Sequence, residues 1–127
     1  MSRYVLDASA LLALLNQEEG HSRVEAILEQ AVVSAVNACE TLGKLIDAGV
    51  PEAEARSSFE LLNLQVIPFD AEMAWTAARL RPQTRRFGLS LGDRCCLALG
   101  MVRQSTVVTT ERAWSKLKME LSIEVVR

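Results

Sequence analysis

Histidine is almost missing from this 127-residue chain, where His21 is the only one. Cysteine occurs three times, as Cys39, Cys95 and Cys96, and no C-x-x-C pair is present. A closed zinc site, which draws its ligands mainly from those two residue types, is therefore excluded. Three cysteines cannot all pair within one chain, and adjacent ones rarely bridge because a single peptide link strains the disulfide. Reduced, buried thiols that serve packing are expected. Internal repeats, low-complexity tracts and Gly/Ser linkers are also absent, and no apolar run approaches the length of a membrane span. The opening "MSRYVLDASALLALL" is apolar, but Asp7 interrupts it and no cleavage-like region follows. A cytoplasmic protein without membrane association is the expectation. Nor is there a bulk basic field, since the formal net charge is −2. If the substrate is a polyanion, local arginines or bound cations must bring it in.

What is there is ordinary globular material, half hydrophobic and 24% charged. The length suits one domain, residues 1–127, with a single real core. Short β-branched or apolar runs alternate with longer helical patterns. The expected strands are 3–6, 32–36, 64–69, 106–109 and 122–126. Helix-like stretches lie around 9–16, 20–30, 37–48, 51–63, 71–81, 90–103 and 111–119, with Pro51 suited to a first helical position. Strands separated by helices predict βαβ units and a mainly parallel sheet covered on both faces. Such strands should be short, apolar and buried.

Acidic residues recur where those strands end. "YVL" runs into Asp7, with Ser9 two residues on; "VVSAV" runs into Asn37 and Glu40; "VIPF" runs into Asp70; "TVVTT" runs into Glu111. Asp93 also stands at a helix start, after a loop. In a parallel sheet the residues just beyond the strand ends gather on one edge, and that edge is where open α/β sheets bind ligands. Each position also has a plain structural explanation. Asn37-x-x-Glu40 and Ser90-x-x-Asp93 have the spacing of a capping box. Asp70 is a ready N-cap, and acids in a first helical turn suit the helix dipole. For any one of them capping outweighs chemistry, so the functional case rests on the set.

Carboxylates converging in a partly dry cleft repel one another and need cations. Asp and Glu oxygens without His or Cys form a hard-ligand set suited to Mg²⁺ or Mn²⁺. One or two such ions can activate a water and stabilise the leaving oxygen of a phosphodiester. They would also offset the repulsion between a net-acidic protein and phosphate.

The segments "YVLDASALLALL", "VNACETLGKL", "GLSLGDRCCLALG" and "VVTTERAW" together resemble the PIN domain, specifically the VapC-type ribonuclease toxins of prokaryotic toxin–antitoxin pairs. The likeness runs across the whole chain in order. It implies a three-layer α/β/α sandwich around a mainly parallel sheet, and Mg²⁺- or Mn²⁺-dependent endonucleolytic cleavage of RNA. Carried over position by position, the metal-binding and catalytic acids would be Asp7, Glu40, Asp93 and Glu111. Ser9 and Thr109 match supporting positions beside the first and last acids. Asp70, which the sheet-edge argument leaves open, is outside the set the resemblance implies. The family more often carries aspartate where this chain has Glu111, whose extra methylene lets it ligate directly, act through water or miss the metal. Partners implied by resemblance are RNA, a cognate VapB-like antitoxin and a second copy of the chain in a homodimer.

Arg79, Arg81, Arg85, Arg86 and Arg94 cluster around the approach to Asp93. They suit a phosphate-contacting rim or a dock for an acidic partner, with Arg85, Arg86 and Arg94 the nearest candidates, against a solvated helix end and loop. Trp75 and Trp114 sit in helical apolar patterns and are expected in the core rather than stacked on bases. His21, Lys44 and Lys116 are expected as surface residues. Two alternatives to a nuclease are a catalytically silent PIN-like interaction module and a phospho-accepting receiver domain. The receiver calls for paired acids after the first strand and a lysine after a late one, and this chain has neither.

Overall fold

Five short strands form one sheet in the computed structural model, which describes residues 3–127. They are β1 (Tyr4–Leu6), β2 (Ala31–Ser34), β3 (Gln65–Ile67), β4 (Thr106–Thr109) and β5 (Ile123–Val125). All pair in parallel, in the order β3-β2-β1-β4-β5. Between them run α1 (Ala8–Leu15), α2 (His21–Ile27), α3 (Ala35–Asp47), α4 (Glu52–Glu60), α5 (Ala71–Arg79), α6 (Arg81–Thr84) and α7 (Leu91–Arg103). Among the described residues no helix is long and apolar enough to cross a membrane.

Strand alternation divides the core in two. Val5, Val32 and Val107 point to one face, where Met73 and Ala77 of α5, Cys95 to Leu99 of α7, and Trp114 cover them. Leu6, Val33 and Val108 point to the other, under Ala10, Leu11 and Leu14 of α1, Val24 and Ile27 of α2, Ala38 and Phe59. Both faces being covered explains why the central strands are continuous apolar runs, and the result is the three-layer α/β/α sandwich that was expected. Gly100 lets α7 settle on β4, because a Cβ there would collide with Val107.

The chain lays β2 and β3 on one side of β1, then returns to lay β4 and β5 on the other. The C-terminal ends of β1 and β4 therefore flank the point where strand order reverses, the place where open α/β sheets form their ligand crevice.

Several sequence expectations are corrected. β2 ends at Ser34, whose Oγ accepts from the Val36 N–H at 3.2 Å and caps α3. Asn37 and Glu40 thus lie inside the helix rather than forming a capping box at its start. β3 is an edge strand with Gln65 and Val66 exposed, not a buried central one. The 20–30 stretch divides into α2 and a 3-10 turn at Leu28–Gln30, and 111–119 shrinks to a 3-10 turn at Arg112–Lys116. Residues 82–87, expected as a loop, are helical, completing α6 and a 3-10 turn. Trp114 is buried as expected, but Trp75 is 65% exposed on the outer face of α5. Cys95 and Cys96 are buried thiols, whereas Cys39 is exposed. His21 opens α2 and is half-buried.

Candidate active site

Asp7 follows β1 directly and is the N-cap of α1. Its backbone N–H donates to the Val108 carbonyl at 3.2 Å, so it still belongs to the sheet while its side chain starts the helix. Oδ1 accepts from the Ala10 N–H at 2.8 Å and the Ser9 hydroxyl at 2.7 Å. Oδ2 accepts from the Thr109 hydroxyl at 2.6 Å, across the strand-order reversal. Ser9 and Thr109 lie 3.2 Å apart and receive the Thr110 and Glu111 N–H groups, each at 3.0 Å. The two hydroxyls expected beside the acids are thus the struts between the β1 and β4 ends.

This carboxylate is 3% exposed. Burial pushes its pKa from 3.8 up to about 6; the bonds from Thr109, Ala10 and Ser9 oppose the rise, and the charge of Asp93 adds to it. Asp93, expected from the sequence both as a capping acid and as a site residue, does cap. Its Oδ2 accepts from the Ser90 N–H at 2.9 Å, while the Asp93 N–H donates to Ser90 Oγ at 3.2 Å. The capping box orients the carboxylate, and its charge still reaches Asp7.

Glu40 approaches from α3, one turn after Asn37. Asn37 Nδ2 donates to Glu40 Oε1 at 3.0 Å and to the Gly92 carbonyl at 3.1 Å. The buried Cys96 thiol registers the whole neighbourhood. Its pKa is driven well up by burial first, then by Asp7, Asp93, Cys95 and Glu40. Cys95 is raised chiefly by burial, so neither thiol is an active nucleophile.

Glu111 stands apart. It follows β4, but its side chain is exposed and the Thr109 strut holds its backbone N–H rather than its carboxylate. Asp70 is the N-cap of α5, accepting from the Met73 N–H at 3.0 Å. Among the described residues no three His, Cys, Asp or Glu side chains stand together as a ready-made metal cage. The donor chemistry nonetheless fits a small hard cation. Mg²⁺ keeps several waters and takes only one or two protein carboxylates, and the buried Asp7 faces the like charge of Asp93.

Arg85 and Arg86 are exposed on the turn before α7, with the Arg86 guanidinium 4.9 Å from the Phe87 ring centroid. Arg94 is half-buried and donates from Nη1 to the Ala77 carbonyl at 3.2 Å, tying the start of α7 to the end of α5. Two residues were not singled out for the site from sequence in their observed role. Asn37 read as a cap, and Gly92 carried only the signal of a glycine inside a helical first turn, where alanine is preferred.

The PIN domain family model matches residues 4–119. Solved structures share the fold at low identity. The DNA-bound VapBC from Salmonella typhimurium superposes with a TM-score of 0.79 at 19% identity, covering 100% of both chains. VapBC2 from Rickettsia felis, bound to a promoter DNA fragment, gives 0.77 at 16%, covering 96% of this chain and 97% of that one. VapBC-5 from Mycobacterium tuberculosis gives 0.67 at 22%, covering 100% and 99%. No curated protein matches this sequence.

Proposed function

The chain belongs to the PIN domain family, and from that premise we propose that it is, as a single domain, a divalent-metal-dependent endoribonuclease acting as the toxin of a toxin–antitoxin pair. The observation that carries the reading is the buried Asp7 carboxylate at the strand-order reversal, braced by Ser9 and Thr109 and facing the charge of Asp93. A buried acid raised by desolvation and a like-charged neighbour, at the ligand edge of an α/β sheet, suits chemistry better than stability.

Asp7 and Asp93 would hold Mg²⁺ or Mn²⁺, with Glu40 beside them and Glu111 as a further acid able to swing in from the end of β4. When bound, such an ion supplies Lewis acidity at phosphorus and lowers the pKa of water. Ser9 and Thr109 keep Asp7 in one rotamer, and the Ser90 capping box does the same for Asp93. Arg85 and Arg86 would meet the phosphates of the RNA, while Arg94 keeps α7 registered on α5. VapBC-5 from Mycobacterium tuberculosis, similar in fold, is a member of the VapBC family of toxin–antitoxin systems, which supports an antitoxin partner for this chain, and we extend the reading to a cytoplasmic homodimer.

RNA cleavage with Mg²⁺ or Mn²⁺, comparing wild type with Asp7→Asn and Asp93→Asn, tests the proposal. Both near-isosteric variants are expected to stay folded and lose cleavage and metal affinity. Equal activity in wild type and Asp93→Asn would show the site to be misassigned. A wild type that cleaves no RNA with either metal would favour a silent interaction module, a reading that the exposed position of Glu111 would then suit.

A further inference from the structure

Two residues near the site are poor choices for their local structure. Asn37 is 1% exposed inside α3, where an aliphatic side chain would need no hydrogen bonds. Its Oδ1 is buried without a hydrogen-bond partner among the described residues, which adds to the cost of keeping an amide there. The amide cannot be reversed to relieve this, because both partners of Nδ2, Glu40 Oε1 and the Gly92 carbonyl, are acceptors. Gly92 lies in the first turn of α7 with no positive φ, so its backbone does not call for glycine. Alanine is the better helix former there.

One carboxylate accounts for both. A Cβ on Gly92 would lie 2.5 Å from Glu40 Cδ and overlap both carboxylate oxygens. The Glu40 head group therefore rests directly on the α7 backbone, in space that only glycine leaves open. Asn37 Nδ2 pins that head group from the α3 side and, through the Gly92 carbonyl, pins α3 to α7. Thr41 Oγ1 donates to the Asn37 carbonyl at 2.8 Å within α3, bonding the same turn.

We propose that Asn37 and Gly92 form a clamp that fixes the Glu40 carboxylate against the first turn of α7, which makes Asn37 a positioning residue for the hydrolysis. The inference rests on the reading of Glu40 as part of the site. A glutamate has three side-chain torsions to restrain, and the clamp restrains it from two helices at once, one of which also carries Asp93 one residue beyond Gly92. The spacing between two candidate ligand acids is thereby set by a side-chain bond and a missing methyl group.

The test uses the full chain with Mn²⁺ as probe. Calorimetric Mn²⁺ titration without RNA, kcat and KM for RNA cleavage, and thermal unfolding in EDTA are compared for Asn37→Leu, Gly92→Ala and Glu40→Gln. Asn37→Leu and Gly92→Ala are expected to melt cooperatively, to bind Mn²⁺ about 10- to 100-fold more weakly, and to lose kcat with KM held. Glu40→Asp in the Gly92→Ala background withdraws the head group from the new methyl, so the double variant should bind Mn²⁺ more tightly than Gly92→Ala alone. Should Asn37→Leu not fold, Gly92→Ala and its rescue decide. Wild-type Mn²⁺ affinity and kcat in the clamp variants, with Glu40→Gln impaired, would overturn the clamp and leave the site reading intact. A silent Glu40→Gln, or a wild type that binds no Mn²⁺, would remove Glu40 from the site and the clamp with it. A double variant no better than Gly92→Ala would also count against the clamp.

Discussion

Replacing Asp7 by asparagine should stabilise the metal-free protein at neutral pH. The carboxylate is buried, and its pKa is raised from 3.8 to about 6. At about 1.36 kcal/mol per pH unit, holding that charge in the fold at pH 7.5 costs about 3 kcal/mol relative to the unfolded chain. A group whose folded pKa is raised contributes stability that is fully present below 3.8 and lost as pH climbs through about 6. Asparagine removes the charge and keeps the bonds. Its Oδ1 can accept from the Ala10 N–H and the Ser9 hydroxyl, as the carboxylate does now. Its Nδ2 can donate to Thr109 Oγ1, and Thr109 can turn its own proton to Ser9 Oγ, 3.2 Å away. Asn and Asp are equally good N-caps. In EDTA at pH 7.5 the variant should therefore melt about 9–15 °C above wild type, at roughly 3–5 °C per kcal/mol for a domain of this size. The gap should narrow as pH falls through 6 and vanish near pH 4. Millimolar Mg²⁺ should raise the wild-type melting temperature and leave that of the variant unchanged, since ligand stabilises only the form that binds it. A wild type as stable as Asp7→Asn at pH 7.5 in EDTA would refute the reasoning, for Asp7 would then be a structural cap whose charge the fold accommodates.

Thr109→Val removes the donor to Asp7 Oδ2 and the acceptor of the Glu111 N–H. A hydrogen bond to a charged group contributes about 1.5–3 kcal/mol, so urea melts at pH 7.5 in EDTA should show a loss of that order, smaller at pH 4 where Asp7 is neutral. The pKa of Asp7, followed by its carboxyl carbon shift in NMR, should move above its wild-type value. For the cysteines, Ellman's reagent should titrate Cys39 alone in the folded protein. Cys95 and Cys96, both buried with raised pKa values, should react only on unfolding; rapid labelling of all three thiols in native buffer would contradict the packing of α7.

The parts of the site that chain order alone predicts are those that follow a strand without delay. Asp7 follows the strand triplet Tyr4–Leu6, which pairs in register with residues 106–108, so an alternation rule and parallel-sheet geometry suffice to place it on the ligand edge. Thr109 was expected only from the family resemblance. Ser90-x-x-Asp93 was legible for another reason, because a capping box is a local interaction and its spacing carries it. The same rule failed at Asn37-x-x-Glu40, where Ser34 caps α3 earlier and leaves Asn37 free to face α7. What made Asn37 and Gly92 illegible is that each owes its identity to Glu40 and to the other helix, at a separation of 55 residues. Trp75 failed in the opposite direction. Its helical period is real, but α5 buries Met73, Thr76 and Ala77, with Leu80 buried just past its end, and that face leaves position 75 outside. Periodicity says that a helix has an apolar side, and only the neighbours decide where that side ends. A buried asparagine without a full set of partners and a helical glycine without a backbone reason, met together across two helices, are therefore the signature to look for when a carboxylate is being held in place.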